Sequence, residues 1–171
     1  MQTKTLALLA ALMPAALADF KVFCGQRCVV ADAGGCGPSC IFMNNPASCE
    51  DVENSVNFHT QDDVSKCDGL RCEGCDDGIP PRDWFITELE INDRGQCTPS
   101  HQSFDGIENR HFTLYNDGTN VNILDLDGNN VGTCQVNSDP QVVDCVNPVG
   151  NSGLINQFDC FSDLYYIDSA N

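Results

Sequence analysis

Alternation of hydrophobic and polar residues predicts β-strands in the second half of the chain. In the segment DWFITELEI (residues 83–91), Phe85, Thr87, Leu89 and Ile91 fall on one face and the intervening residues on the other. Side chains two residues apart along a strand share a face. The segment is therefore predicted to be an amphipathic strand.

Residues 111–136 predict a β-meander. Three runs that favour strands, HFTLY, TNVNILDL and NNVGTCQV, are joined by Asp-Gly pairs, which are frequent in turns between antiparallel strands. Residues 142–146 and 158–167 add two further candidate strands. The sequence thus predicts a compact antiparallel β-sandwich or barrel of about six strands.

The N-terminal part has a different pattern. Residues 20–24 predict one strand, whereas the glycines and Pro38 in residues 33–40 predict a turn-rich loop. Residues 49–57 predict a short helix, because Ser48 is a good N-cap and apolar residues recur on one helical face. Disulfides are expected to substitute for a large apolar core here.

The predicted fold class is mainly β: a disulfide-rich N-terminal part with one short helix, followed by an antiparallel β-sandwich or barrel. The segment DDGIPP marks the boundary, because Gly78 and the Pro80-Pro81 pair stop regular structure. The predicted parts are a signal peptide at residues 1–18, a cysteine-rich part at residues 19–79 and a β domain at residues 80–171.

The first eighteen residues have the features of a secretory signal peptide. Lys4 precedes an apolar run from Leu6 to Met13, and Ala16 and Ala18 form an A-x-A cleavage site. The run is too short to span a bilayer. We therefore expect cleavage after Ala18 and secretion of the mature chain.

Twelve cysteines fit six disulfides in an oxidising extracellular compartment. If pairing stays within the two predicted parts, roughly 300 connectivities are possible, so the sequence leaves the pairing open. The cysteines are Cys24, Cys28, Cys36, Cys40, Cys49, Cys67, Cys72, Cys75, Cys97, Cys134, Cys145 and Cys160.

The charge of the chain bears on its partners. Eight Lys and Arg residues stand against 25 Asp and Glu residues, which gives a formal net charge of -17. Such an excess repels the phosphates of nucleic acids and anionic lipid headgroups. Nucleic acids and membranes are therefore not expected as partners, and no motif indicates a cofactor.

The sequence contains no local catalytic motif. Cys72 and Cys75 have the C-x-x-C spacing of redox and zinc motifs, but the carboxylates around them disfavour the thiolate that both chemistries need. A structural disulfide is predicted instead. His111 and Glu88 could meet on neighbouring strands and support acid–base catalysis, although a solvent-facing histidine beside a carboxylate is the favoured interpretation.

One acidic loop has the spacing of a calcium site. Asp125, Asp127 and Asn129 match the pattern D-x-D-x-N. Asn130 and Val136, however, stand where an EF-type loop needs glycine and glutamate. A hairpin turn accounts for the same residues, with a weak calcium site as the alternative.

Candidate ligand-binding residues are the aromatic side chains that could stack on a sugar: Trp84, Tyr115, Tyr165 and Tyr166. Alternation along the strands allows only some of these rings to be exposed.

An acidic mature chain rich in cysteine, with Lys21 and Lys66 as its only lysines, resembles the small cysteine-rich, effector-like proteins secreted by filamentous fungi. The resemblance is to a class and assigns no functional residue. It implies action outside the producing cell, by binding a host or competitor protein, a wall glycan or an enzyme to be inhibited.

The favoured function is therefore that of a secreted, disulfide-stabilised, non-enzymatic binding or effector-like protein whose partner is an extracellular protein or glycan. Two alternatives stay open: a carbohydrate-binding module, with or without calcium, and a small secreted hydrolase. A flat patch of exposed rings would favour the first. A deep cleft with a histidine and a carboxylate within about 3 Å would favour the second.

Overall fold

The computed structural model describes residues 19–29, 35–43, 48–54, 58–60, 69–92, 103–105, 111–147, 150–162 and 165–167. As predicted, the protein is mainly β. The strands are β1 (Phe20–Val29), β2 (Cys36–Met43), β3 (Phe58–Thr60), β4 (Gly69–Glu73), β5 (Glu88–Asn92), β6 (Ser103–Asp105), β7 (His111–Asn116), β8 (Val121–Asp125), β9 (Asn130–Val136), β10 (Val142–Asn147), β11 (Gly150–Ser162) and β12 (Tyr165–Ile167). The helix α1 is Cys49–Asn54, and Pro81–Asp83 form a 3-10 turn.

Ten strands form one sheet that closes on itself. The order is β1-β2-β3-β4-β5-β7-β8-β9-β11, and β11 pairs in turn with β1. Neighbours are antiparallel except β3 and β4, which are parallel. β10 adds to β11 at the end of the sheet, while β6 and β12 pair separately. Of the two predicted architectures, the ring is therefore a barrel rather than a sandwich.

The long strand β11 connects the parts of this sheet. One of its edges pairs with β1. Its other edge is shared, because residues 150–155 pair with β10 and residues 158–162 pair with β9. Chain segments from both sides of residue 79 therefore contribute to one sheet.

The main core consists of side chains that alternate inward along the strands. Phe42 packs against Phe20 and against Phe112, with 6.4 Å between ring centroids in each pair. Such tilted and edge-to-face contacts are favourable beyond the apolar area that they bury. The largest fully buried aliphatic side chains of this core are Leu70, Leu89, Ile91, Leu114 and Ile123.

A second apolar cluster lies where α1 packs against the sheet. It comprises Phe23, Ile41, Met43, Val52, Val143, Cys145 and Leu154. The helix begins as predicted: Ser48 Oγ accepts a hydrogen bond from the backbone N–H of Asp51 at 3.2 Å, and Asp51 Oδ2 accepts one from the N–H of Ser48 at 2.8 Å. This reciprocal pair is a capping box.

The predicted turn-rich loop at residues 33–40 is wrong for its second half, because β2 begins at Cys36. Disulfides between directly opposite residues of β1 and β2, Cys24–Cys40 and Cys28–Cys36, hold this strand in place. Pro38 is tolerated because β3 pairs only with residues 39–40 of β2.

The strand predicted at residues 83–91 is also shorter than expected, since β5 begins at Glu88. Before that residue the exposure is reversed: Trp84 and Ile86 are buried and Phe85 is exposed. The Trp84 indole N–H donates to the carbonyl oxygens of Asp76 and Ile79, at 2.8 and 3.1 Å. These bonds keep the segment out of the strand.

Candidate functional site

A cluster of charged side chains lies on the outer face of β4, β5 and β7. Arg71 Nη2 contacts a carboxylate oxygen of Glu88 and lies 2.8 Å from Glu90 Oε2. His111 Nε2 lies 2.7 Å from Glu90 Oε1. Glu90 therefore bridges a guanidinium and an imidazole that come from two different strands.

The strand register explains which side chains meet. Arg71 is directly opposite Glu90, and Glu90 is diagonal to His111, whose direct partner is Asn92. Diagonal neighbours on one face are within reach of long side chains. The suggested pair of His111 with Glu88 is therefore corrected to His111 with Glu90.

Carboxylates keep this cluster acidic. The hydrogen bond with Glu88 raises the pKa of Arg71 above its ordinary value, and the charges of Glu90, Glu88 and Glu73 add to the effect, while partial desolvation opposes it. The guanidinium is thus permanently charged. One cation stands among three carboxylates, so the face as a whole attracts hydrogen-bond donors or cations.

A shallow depression of about 270 Å³ adjoins the cluster. It lies over β5, β7 and β8, and the ring of Tyr115 is 42 % exposed there. Both polar and apolar residues line it. The lining residues are Glu90, His111, Phe112, Thr113, Tyr115, Leu124, Asp125, Leu126 and Gly128.

The depression has one element of a hydrolytic site, the short contact between His111 and Glu90. Thr113 is two residues from His111 on β7 and lies about 7 Å along the strand, beyond the roughly 3 Å at which a base activates a nucleophile. Among the described residues, no hydroxyl or thiol forms a hydrogen bond with the His111 ring.

The acidic loop between β8 and β9 is an Asp-capped turn. Asp125 Oδ1 accepts the backbone N–H groups of Asp127 and Asn129 at 3.0 and 2.8 Å, and Oδ2 accepts Asn129 Nδ2 at 3.0 Å. Gly128 supplies the positive φ of 81°. The Asn129 side chain is the main cause of the lowered pKa of Asp125. Of the three predicted calcium ligands, the Asp125 carboxylate is thus already occupied by the turn.

We expect at most weak calcium binding here, with a dissociation constant of about 10⁻⁴ to 10⁻³ M. Calorimetric titration of the native protein and of Asp125→Asn/Asp127→Asn measures it. Asp117→Asn is the matched control, since Asp117 Oδ1 caps the β7–β8 turn in the same way, at 2.8 Å from the N–H of Thr119. Saturable micromolar binding that the double variant abolishes would contradict the turn interpretation.

Within the described residues, no group of three His, Cys, Asp or Glu side chains is arranged to hold a metal ion.

The same capping carboxylates predict the response to acid. Asp51, Asp117 and Asp125 have pKa values below the ordinary value because they accept hydrogen bonds, chiefly from the Ser48 hydroxyl, the Asn120 N–H and the Asn129 side chain, respectively. A lowered pKa in the folded state stabilises the fold at neutral pH. This stabilisation is lost as the pH falls from about 4 through the folded value.

At pH values above about 4, protonation of carboxylates relieves the repulsion among the excess negative charges. We therefore expect the melting temperature to hold or rise between pH 7 and about pH 5, and to fall below about pH 4. A thermal melting series followed by circular dichroism measures it. A marked loss of stability between pH 7 and 5 would contradict the prediction, and Asp117→Asn should reduce the fall below pH 4.

The four aromatic candidates have different positions. Trp84 is only 6 % exposed and belongs to the core, so its proposed role in stacking on a ligand is corrected. Tyr115 lines the depression. Tyr165 and Tyr166 lie in β12, opposite Asp105 and Phe104 of β6. The structure describes their strand pairing but not the positions of their side chains.

Five disulfides join ten of the twelve cysteines, and Cys67 and Cys97 lie outside the described residues. Pairing is not confined to the two predicted parts, because Cys49–Cys145 joins them. Cys72 and Cys75 are bonded to each other and pack against the main core, as the structural interpretation predicts. The remaining pairs are Cys24–Cys40, Cys28–Cys36 and Cys134–Cys160.

No protein family, curated protein or solved structure matches this chain at a significant level. In the part of the chain that the structure describes, no helix has the length and hydrophobicity needed to cross a membrane.

Proposed function

We propose that the chain is a secreted, disulfide-stabilised binding protein that acts outside the producing cell without catalysing a reaction, in the manner of an effector. The observation that carries this proposal is the depression around Tyr115. It presents an exposed aromatic ring among hydrogen-bonding side chains on a sheet face that is braced by ion pairs.

The construction of the protein supports a binding role. Disulfides limit the unfolding of a chain that must persist among extracellular proteases. Strands rather than loops carry His111, Thr113 and Tyr115, so the groups that would contact a ligand are already ordered before it binds. A pre-organised surface loses less conformational entropy on binding.

The chemistry of the depression indicates the class of ligand. Arg71 and His111 already engage both oxygens of Glu90, so its carboxylate contributes mainly negative charge to this face. Tyr115 offers both an apolar ring and a hydroxyl. A partner rich in hydroxyl or ammonium groups fits these side chains, whether it is an extracellular protein or a glycan. The exposed ring beside acceptors favours the glycan as the second candidate function, because the apolar face of a sugar can stack on an aromatic ring.

Affinity capture from extracellular extracts, together with glycan arrays, tests the proposal. Wild-type protein is compared with Tyr115→Ala and with the control Val136→Ala, which removes an exposed apolar side chain of β9 that does not line the depression. We expect Tyr115→Ala to weaken binding by about tenfold or more, which is typical of an aromatic anchor. The control should bind like the wild type.

Two results would overturn the proposal. Equal binding by both variants would show that the depression is not the binding surface. Hydrolysis of an extracellular substrate that His111→Asn abolishes would show that the protein is an enzyme.

A further inference from the structure

Among the described strands, β10 has a free edge. It is the last strand of the sheet order and pairs with β11 alone among the described strands. The Cys49–Cys145 disulfide holds α1 against one face of β10, the face that carries Val143 and Cys145. The other face carries Val142, Asp144 and Val146.

The direction of the backbone groups follows from the register. The N–H of Asn156 donates to the carbonyl oxygen of Gln141 at 3.0 Å, so Gln141 directs its polar groups toward β11. Antiparallel strands alternate in this respect. The N–H and C=O groups of Val142, Asp144 and Val146 therefore point away from β11.

The side chains at this edge are unusually apolar and exposed. Val146 is 85 % exposed and Val142 is 49 % exposed. Proteins normally protect such an edge with lysine, proline, a bulge or a covering element, because it can pair with another chain. Here Asp144 is the only charged residue in the six-residue strand.

The charges near this edge indicate which kind of strand can bind to it. Asp144 is exposed on β10, and Glu50 and Asp51 are exposed on the adjacent helix. Antiparallel pairing of two copies of β10 centred on Asp144 would place Asp144 opposite Asp144, and like charges in that position are destabilising. A second copy in that register is thus disfavoured, whereas a strand with Lys or Arg opposite Asp144 is complementary.

We propose that the edge of β10 binds an extended, basic segment of another protein, which adds to the sheet as an antiparallel strand. Lys or Arg of that segment lies opposite Asp144, and apolar side chains lie opposite Val142 and Val146. The inference rests on the proposed binding role but uses a surface separate from the depression around Tyr115.

Fluorescence anisotropy with labelled synthetic peptides tests the inference. The probe is an end-blocked heptapeptide, Thr-Val-Thr-Lys-Thr-Val-Thr, and its counterpart has Glu in place of Lys. Wild-type protein should bind the Lys peptide saturably and the Glu peptide about tenfold more weakly. Asp144→Lys should reverse this preference, whereas the control Glu73→Lys, with the same change of charge on β4, should not.

A second variant distinguishes peptide binding through backbone hydrogen bonds from binding through charge alone. Val146→Pro removes an N–H that points away from β11, so it should abolish peptide binding while the melting temperature stays near that of Val146→Thr, which should still bind. A failure of the Lys peptide to bind would overturn the inference, as would equal effects of Asp144→Lys and Glu73→Lys. A dimer in sedimentation that Val146→Pro dissociates would show instead that a second copy occupies the edge. None of these results bears on the Tyr115 variants, which test the proposed function.

Discussion

Replacing Cys49 and Cys145 with alanine should lower the free energy of unfolding by about 4–5 kcal/mol, the largest effect expected of any of the five described disulfides. The two residues are 96 positions apart. A crosslink restricts the unfolded chain more strongly as the loop that it closes becomes longer. This disulfide also holds α1 and β10 together, where the second apolar cluster is buried.

The matched control is Cys72→Ala/Cys75→Ala, which opens a loop with a sequence separation of 3. The same relation gives only about 2 kcal/mol for that loop. Urea unfolding of both double variants, under conditions that leave the other disulfides intact, measures the difference. Equal losses of stability would show that chain entropy is not the main contribution of these bonds.

Gly25→Ala should lower the free energy of unfolding by about 3 kcal/mol or more, because it overpacks a fully enclosed position. A Cβ atom at Gly25 would lie 1.9 Å from the carbonyl oxygen of Gly153 and 2.9 Å from the Cα atom of Leu154. Both are backbone atoms of β11, which cannot move aside without separating from β1. The pairing of these two strands is what closes the sheet.

Gly37→Ala in the neighbouring strand β2 is the control, since a Cβ atom there meets no other atom within 4 Å. It should leave stability within about 1 kcal/mol of wild type or raise it slightly, because alanine restricts the unfolded chain. Thermal and urea unfolding compare the two variants. Similar stability of Gly25→Ala and Gly37→Ala would mean that β1 and β11 do not approach as closely as described.

Local patterns in the sequence predicted the meander most successfully. The Asp-Gly turns and the alternation in residues 111–136 correspond to β7, β8 and β9, and Ser48 caps α1 as expected. Each of these features depends on residues within a few positions of one another. The loop predicted at residues 33–40 failed because β1 and two disulfides, not local propensity, hold β2 extended.

The sequence predicted which types of residue form the candidate site, but not which individual residues meet there. A histidine beside a glutamate on neighbouring strands follows from the alternation in β5 and β7, but the register selects Glu90 rather than Glu88. Arg71 was not anticipated, since nothing in the sequence indicates that β4 pairs with β5. The burial of Trp84 depends on carbonyl groups five and eight residues away in an irregular segment.

The sequence by itself determined the mainly β class, the positions of the meander turns, the cap of the helix, the acidic charge and a cysteine count suited to an oxidising compartment. These properties are sums over residues or depend on near neighbours along the chain. Only the tertiary structure decided the closure of the sheet through β1 and β11, the Cys49–Cys145 bond across the two predicted parts, and the free edge of β10. Those features depend on which of many compatible strands become neighbours, and that choice is made by packing between residues that are far apart in the sequence.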